Sequence, residues 1–227
     1  MALDSTTQAP LSDTAQRYLE TIYYIVHEGG VARPGRIAEW MGVSAPTVSV
    51  TLQRLVRDGW LEVESDRSVR LTDAGHAAAS RIVRRHRILE RWLVDVLGLD
   101  WATADEEAEA LAQGLSDLVL ERLDAHLGKP ATCPHGNHIP GRGQNPAALV
   151  SLAALSEGAG ATVVRVSEVA EHDAPQLLDS LHTLGLVPGA VVEVVATGDP
   201  LSVRRGDRQL AVPWAVAACV WVETSLG

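Results

Sequence analysis

Residues 31–72, VARPGRIAEWMGVSAPTVSVTLQRLVRDGWLEVESDRSVRLT, constrain this chain more than any other stretch. Apolar side chains first recur at helical spacing (Ile37, Ala38, Met41) and the run stops at Gly42. Ser44 then stands at an N-cap position with Pro46 in the first turn, where a missing N–H costs nothing. A second helical period passes through Val48, Thr51, Leu52 and Leu55 and ends at Asp58 and Gly59. From there the period falls to two: Leu61 and Val63, a polar turn at 65–68, then Val69 and Leu71. Helix, tight turn, helix and hairpin is the order of a winged helix-turn-helix, most often a DNA-reading device. The plainer alternative is a helical-hairpin domain.

Charge sets a condition on that reading. The 227 residues carry a formal net charge of −10, so unspecific attraction to phosphate must be weak unless basic groups gather on one face. Arg33, Arg36, Arg54, Arg57, Arg67 and Arg70 all fall inside the opening stretch. Hydrophobic content of 46% and charged content of 21% describe an ordinary globular chain, long enough for one large or two modest cores. No apolar run reaches the roughly 18 residues of a membrane span, and the first residues show no basic-then-apolar leader. Two cysteines, Cys133 and Cys219, are too few for a disulfide framework and fit a reducing cytoplasm.

Ahead of the motif, Ser12 or Asp13 caps a helix expected to reach about His27, with Tyr18, Leu19, Ile22 and Ile25 on its apolar side. Beyond it, a long helix is expected from Thr72 to about Leu97. His86 and Glu90 on it are spaced i, i+4, either a surface ion pair or two ligands gripping one ion. A further helix, capped by Thr103, is expected to run to about Leu127 with carboxylates in its first turn. Two amphipathic helices beyond a DNA-binding unit commonly form a two-fold dimer interface. Residues 128–146, dense in Gly, Pro, His and Asn, mark a boundary. Cys133, His135 and His138 there suggest zinc by proximity, but a single Cys without a second pair favours an ordered turn. Residues 149–227 turn to short strands (161–166, 190–196, 201–204, 209–212, 219–223) and one helix (174–184), the pattern of a small barrel.

With these pieces in place the chain resembles the diphtheria-toxin-repressor family of metal-dependent transcriptional regulators, the iron and manganese sensors of bacteria. TAQRYLETIYYI in the first helix, SAPTVSVTLQRLVRDG in the second helix of the motif, SDRSVRLTDAG in the wing, RRHRILERWLVDVLGLD in the long helix and CPHGNHIPG at the boundary carry the resemblance. It implies a mainly α architecture: a winged helix-turn-helix (1–73), a helical dimerisation and metal-binding domain (74–140), a linker (141–148) and a small all-β SH3-like barrel domain (149–227). It further implies a homodimer on a palindromic double-stranded operator, with Ser44, Pro46, Thr47 and Ser49 at the major groove and Arg36, Arg54, Arg57 and Arg67 on phosphates or the wing. Where iron-type members have glutamine this chain has Val50, which cannot hydrogen-bond a base edge.

The family has two metal positions. At the ancillary one the matching residues are His86, Glu90, Asp105, Asp173 and Gln176, a donor set suited to Mn(II) or Fe(II), with Zn(II) or Co(II) as substitutes. At the primary one the matches are Arg17, Glu20, Glu109, Ala112 and Gln113. A guanidinium cannot ligate and repels a divalent ion, so Glu20 and Glu109 alone would make a weak site; the alternative expectation is that Arg17 bridges the two carboxylates as a built-in cation. Three functions follow: a transcriptional regulator, in the first place a repressor, of metal homeostasis genes gated by a divalent ion; the same scaffold without metal gating or sensing another ligand; and a metal-dependent hydrolase using the His/Glu/Asp cluster. The last is weakest, for the chain has no HExxH, nucleophile elbow or phosphate-cradling glycine loop.

Overall fold

The computed structural model describes residues 11–143, 148–168 and 176–224. The chain divides into two compact units, one ending at Ile82 and one beginning at Val83, so the division falls inside a long helix.

The first unit is built as the punctuation of the sequence dictates. Helix α1 (Asp13–His27) starts where the Ser12 hydroxyl accepts a hydrogen bond from the Ala15 N–H, and it buries Tyr18, Leu19, Ile22 and Ile25. Helix α2 (Pro34–Met41) carries Pro at its start and ends at Gly42, whose φ of 62° is left-handed. Helix α3 (Ala45–Arg57) is capped by Ser44 and buries Val48, Leu52 and Leu55. Each such side chain contributes about 1.5–3 kcal/mol of burial, which fixes the opposite face of α3 toward solvent. Strands β1 (Leu61–Val63) and β2 (Val69–Leu71) pair antiparallel with Leu61 opposite Leu71 and Glu62 opposite Arg70. Asp66 ties the turn between them by accepting from the Ser68 N–H and hydroxyl, which hold its carboxyl at about 2. Helix α4 (Asp73–Asp95) then leaves the wing at a close approach: a Cβ on Gly75 would lie 2.0 Å from the Trp60 carbonyl oxygen. The Thr72 hydroxyl completes that joint, donating to the Gly59 carbonyl and accepting from the Gly75 N–H.

In the second unit α4 is followed by α5 (Trp101–Gly114) and α6 (Asp117–His126). The single helix expected over 103–127 is therefore two. Asp100 is the cap of α5, accepting from the Thr103 N–H and hydroxyl, and Ser116 opens a new helix after Leu115 turns extended. The apolar period through Leu111, Leu115 and Leu118 runs across the break and conceals it.

The remaining described strands are β3 (Val150–Ser151), β4 (Gly160–Val166), β5 (Val191–Ala196), β6 (Leu201–Arg205), β7 (Arg208–Val212) and β8 (Val220–Thr224), with helices α7 (Gln176–Leu184) and α8 (Trp214–Ala218). They form one antiparallel sheet in the order β3-β8-β4-β5-β6-β7. This is the small SH3-like domain expected, with the sheet open at β3 and β7 rather than closed into a barrel. Its core (Val163, Val194, Val203, Val220 and neighbours) also takes in Trp101 from α5, so the sheet domain and the helices share one apolar interior.

Candidate metal centre and DNA-reading face

The turn at 133–138 is ordered, as expected, and it does more than connect. Cys133 accepts from the Gly136 N–H through its carbonyl, and its own N–H donates to the Asn137 carbonyl. The loop is pressed against β4: a Cβ on Gly136, at φ 87°, would lie 2.1 Å from the Val164 carbonyl oxygen. The Val166 N–H donates to the His135 carbonyl, and the Asn137 side-chain amide donates to the Val166 carbonyl at 3.0 Å. Only glycine permits this approach, and the approach drives the Cys133 and His135 side chains into the protein.

They arrive at Glu90. Glu90 and His135 are buried, as is Cys133. Glu90 Oε1 lies 3.3 Å from His135 Nδ1 and 3.7 Å from His86 Nε2, one helical turn back on α4. His86 Nε2 in turn lies 3.1 Å from an Asp105 oxygen on α5. Two overlapping donor sets result, Glu90–Cys133–His135 and His86–Glu90–Asp105, each with its ligand atoms within 4.8 Å of one another. Burial opposes charge on both His86 and Glu90. Their mutual attraction outweighs it: Glu90 and Asp105 hold the His86 ring well above its ordinary pKa, and His135 and His86 hold Glu90 well below the carboxylate range.

Behind the centre, buried Arg87 donates to the Glu168 carboxylate and to the His138 carbonyl, locking α4 to the loop and to the end of β4. Trp101 packs edge-on against the His135 ring with centroids 4.7 Å apart.

Of the ancillary residues expected from sequence, the structure brings together His86, Glu90 and Asp105. Asp173 lies outside the described residues, and Gln176 is placed by its backbone alone at the start of α7. Cys133 and His135, assigned to a turn by their spacing, lie in that turn and also beside Glu90; with them the donor set is softer than an oxygen-rich one. His138 does not join them, since its Nδ1 faces the Arg142 carbonyl at 3.1 Å. At the primary position, Arg17 and Glu20 stand on α1 in the first unit, where the Tyr24 hydroxyl donates to Glu20. Glu109, Ala112 and Gln113 stand on α5 in the second, with Glu109 and Gln113 exposed and Ala112 packed into the Leu89, Leu93 and Ala104 core.

On the DNA-reading side, Ser44, Pro46, Thr47, Ser49, Val50, Arg54 and Arg57 are all on the exposed face of α3 or its cap. The arginines of the unit divide sharply. Arg33 is paired with Asp66, Arg36 with Glu39, Arg57 with Asp58, and Arg70 with Glu62 and Glu64. Among the described residues Arg54 and Arg67 carry no carboxylate partner, and Arg67 sits at the tip of the wing with φ 67°. The basic cluster counted along the sequence thus shrinks to two uncompensated guanidinium groups.

Comparison with known proteins agrees with this architecture. Residues 10–69 match the N-terminal DNA binding domain of iron dependent repressors, 72–141 their metal binding and dimerisation domain, and 150–224 the FeoA domain. The iron-dependent repressor IdeR of Mycobacterium tuberculosis is 39% identical over 226 residues, covering 94% of this chain and 98% of the relative. The diphtheria toxin repressor of Corynebacterium jeikeium is 35% identical over 237 residues, with the same coverage. Among solved structures, a manganese-dependent transcriptional repressor in complex with manganese superposes with a TM-score of 0.81 at 33% identity over 92% of this chain and 99% of that one. T. acidophilum IdeR gives 0.76 at 27% identity over 95% and 100%. The chain belongs to the iron-dependent, diphtheria-toxin-repressor family, whose members are metal-dependent transcriptional repressors and not enzymes.

Proposed function

We propose that this chain is a cytoplasmic repressor that binds a palindromic DNA operator as a homodimer and is gated by one divalent metal held at the centre around Glu90. The supporting observation is that the buried Glu90, Cys133 and His135, with the partly buried His86 and Asp105, converge from α4, the 133–138 turn and α5 within 4.8 Å of one another in each set. The residue types fit a divalent transition ion: Glu90, Cys133 and His135 would hold it, with His86 and Asp105 as the second set on the same carboxylate. Thiolate and imidazole favour Fe(II), Zn(II) or Co(II), and the two carboxylates keep Mn(II) in range. When bound, the ion supplies a positive centre that the donors otherwise provide only through protonated histidine.

The chain's own residues supply the rest. Arg87 keeps the α4 face and the turn in register, and Gly136 lets the turn reach the site. Leu111, Leu118 and Val119, 40%, 69% and 43% exposed on α5 and α6, form the apolar face suited to a second copy of the chain. We assign 1–73 to DNA binding, 74–140 to dimerisation and metal, and 149–227 to the FeoA-like domain.

A second reading is favoured by Arg17. A permanent cation at the primary position, with Ala112 and Gln113 in place of ligands, suits a regulator whose primary site needs no ion. Operator binding by chelator-stripped protein, titrated separately with Mn(II), Fe(II), Zn(II) and Co(II), separates the two. Metal-dependent affinity lost in Glu90→Gln and kept in Arg17→Ala supports the gated reading. Full affinity of the stripped protein, abolished in Arg17→Ala, supports the metal-independent one.

A further inference from the structure

The exposed face of α3 is less polar than its sequence suggests. The Ser49 hydroxyl donates to the Ala45 carbonyl at 3.0 Å, and the Thr51 hydroxyl donates to the Thr47 carbonyl at 3.1 Å. The Ser44 and Thr47 hydroxyls are 2.8 Å apart and share one hydrogen bond, while Ser44 also caps the Thr47 N–H. A hydroxyl has one proton to give, so two of these donors are spent on the helix's own carbonyls and a third on a neighbouring hydroxyl. Pro46, Val50 and Arg54 recur every four residues and therefore form one row along the helix. Two apolar groups stand toward its N-terminal end and one uncompensated guanidinium toward its C-terminal end.

Val50 is the centre of this row and is 69% exposed. The fold does not require it there. A β-branched residue lowers helix propensity slightly, and at this exposure it adds little to the core. An exposed apolar side chain on the helix that enters the major groove has one matching group among unmodified base pairs, the C5-methyl of thymine.

We propose that Val50 is a specificity-determining residue that reads a thymine methyl at one symmetry-related pair of operator positions. This rests on the reading of the chain as a DNA-binding repressor. The contact needs no hydrogen bond from Val50, and it discriminates by the presence or absence of one methyl group. Glutamine at the same place would present a donor and an acceptor and select adenine instead.

The test begins with selection of binding sites from a randomised duplex pool by the full-length protein, in parallel arms with Mn(II), Fe(II), Zn(II) and chelator. The selected duplex is then scanned by replacing each thymine with deoxyuridine, which removes only the C5-methyl group. At one symmetric pair of positions we expect uracil to weaken wild-type binding about fourfold per half-site, the worth of one buried methyl group. Val50→Ala should bind the thymine and uracil duplexes alike at that pair, with an unchanged melting temperature. Replacing thymine by 5-methylcytosine at the same pair should preserve more wild-type binding than cytosine does. Equal uracil sensitivity in wild type and Val50→Ala at every position would overturn the assignment to Val50. Failure of the wild type to enrich any sequence in any arm would instead overturn the DNA-binding reading itself.

Discussion

The two sets of residues that we propose for metal positions differ in kind. Around Glu90, the side chains of His86, Asp105, Cys133 and His135 converge on one buried carboxylate. At the primary position that we propose from the resemblance, the residues are Arg17, Glu20, Glu109, Ala112 and Gln113, of which only Glu20 and Glu109 are carboxylates. The difference teaches where positive charge is permanent and where it is conditional. A guanidinium is a built-in cation and has no lone pair to offer a metal. The Glu90 cluster holds carboxylates that favour a cation and imidazoles that supply one only when protonated, and it is there that we propose an ion acts.

The comparison can be strained most by attacking the support of the centre. Arg87→Met removes the cation from a buried carboxylate, and thermal or denaturant unfolding should register a loss of about 3–5 kcal/mol. The double variant Arg87→Met, Glu168→Leu should recover a large part of it. By contrast Arg33→Ala, which breaks an exposed pair on the wing, should cost no more than about 1 kcal/mol. Equal losses would mean that the centre is not held by the buried pair.

Next in size, Cys133→Ser with His135→Ala should lower metal affinity at least about 100-fold in a chelator-competition assay, because two soft donors are lost. The same measurement on Asp105→Asn should show a smaller drop. The reverse order would place the ion on the harder triad. Gly136→Ala should cost about 2 kcal/mol or more in unfolding free energy and weaken metal binding alongside, since its Cβ cannot coexist with the Val164 carbonyl where the loop now lies. At the primary position we propose, Arg17→Asp combined with Gln113→His supplies an acid and an imidazole. Metal analysis should then find a second bound ion per chain that the wild type lacks.

The smallest effect is in pH. His86 has its folded pKa raised above its unfolded value, so in stripped protein it contributes stability that is fully present below about pH 6.5. That contribution is lost as pH rises through the folded value. Metal binding has the opposite sign, because a cation seated on Glu90 competes with the proton on the neighbouring His86. Affinity should fall by up to about tenfold per pH unit on acidification below the folded pKa. A pH-independent metal affinity would mean that the ion does not sit on Glu90 beside His86.

Much of the fold was legible because its signals are local. Ser12, Ser44 and the glycines at 42 and 59 punctuate the first unit in sequence, and the drop from a helical period to alternation places the wing. The break before α6 was hidden because Leu111, Leu115 and Leu118 keep helical spacing through it; Ser116 followed by Asp117 was the available sign. The metal centre was half legible. His86 and Glu90 share a helix face by spacing alone, and Asp105 came from the resemblance. Cys133 and His135 were visible as residue types, but their partner Glu90 is distant in sequence and is reached only because Gly136 lets the turn press on β4. The neutralised arginines were unreadable for a related reason. Arg70 meets Glu62 through the strand register, and Arg33 meets Asp66 across the fold, neither of which spacing reveals.

The central claim, that the ion is held by Glu90 with Cys133 and His135, is tested most directly by the optical spectrum of the Co(II)-loaded protein. Thiolate ligation gives a sulfur-to-cobalt charge-transfer band. The account predicts that band in the wild type and in Arg17→Ala, with its loss in Cys133→Ser. A Co(II) complex of the wild type without the band, or one that keeps it in Cys133→Ser, would contradict the account.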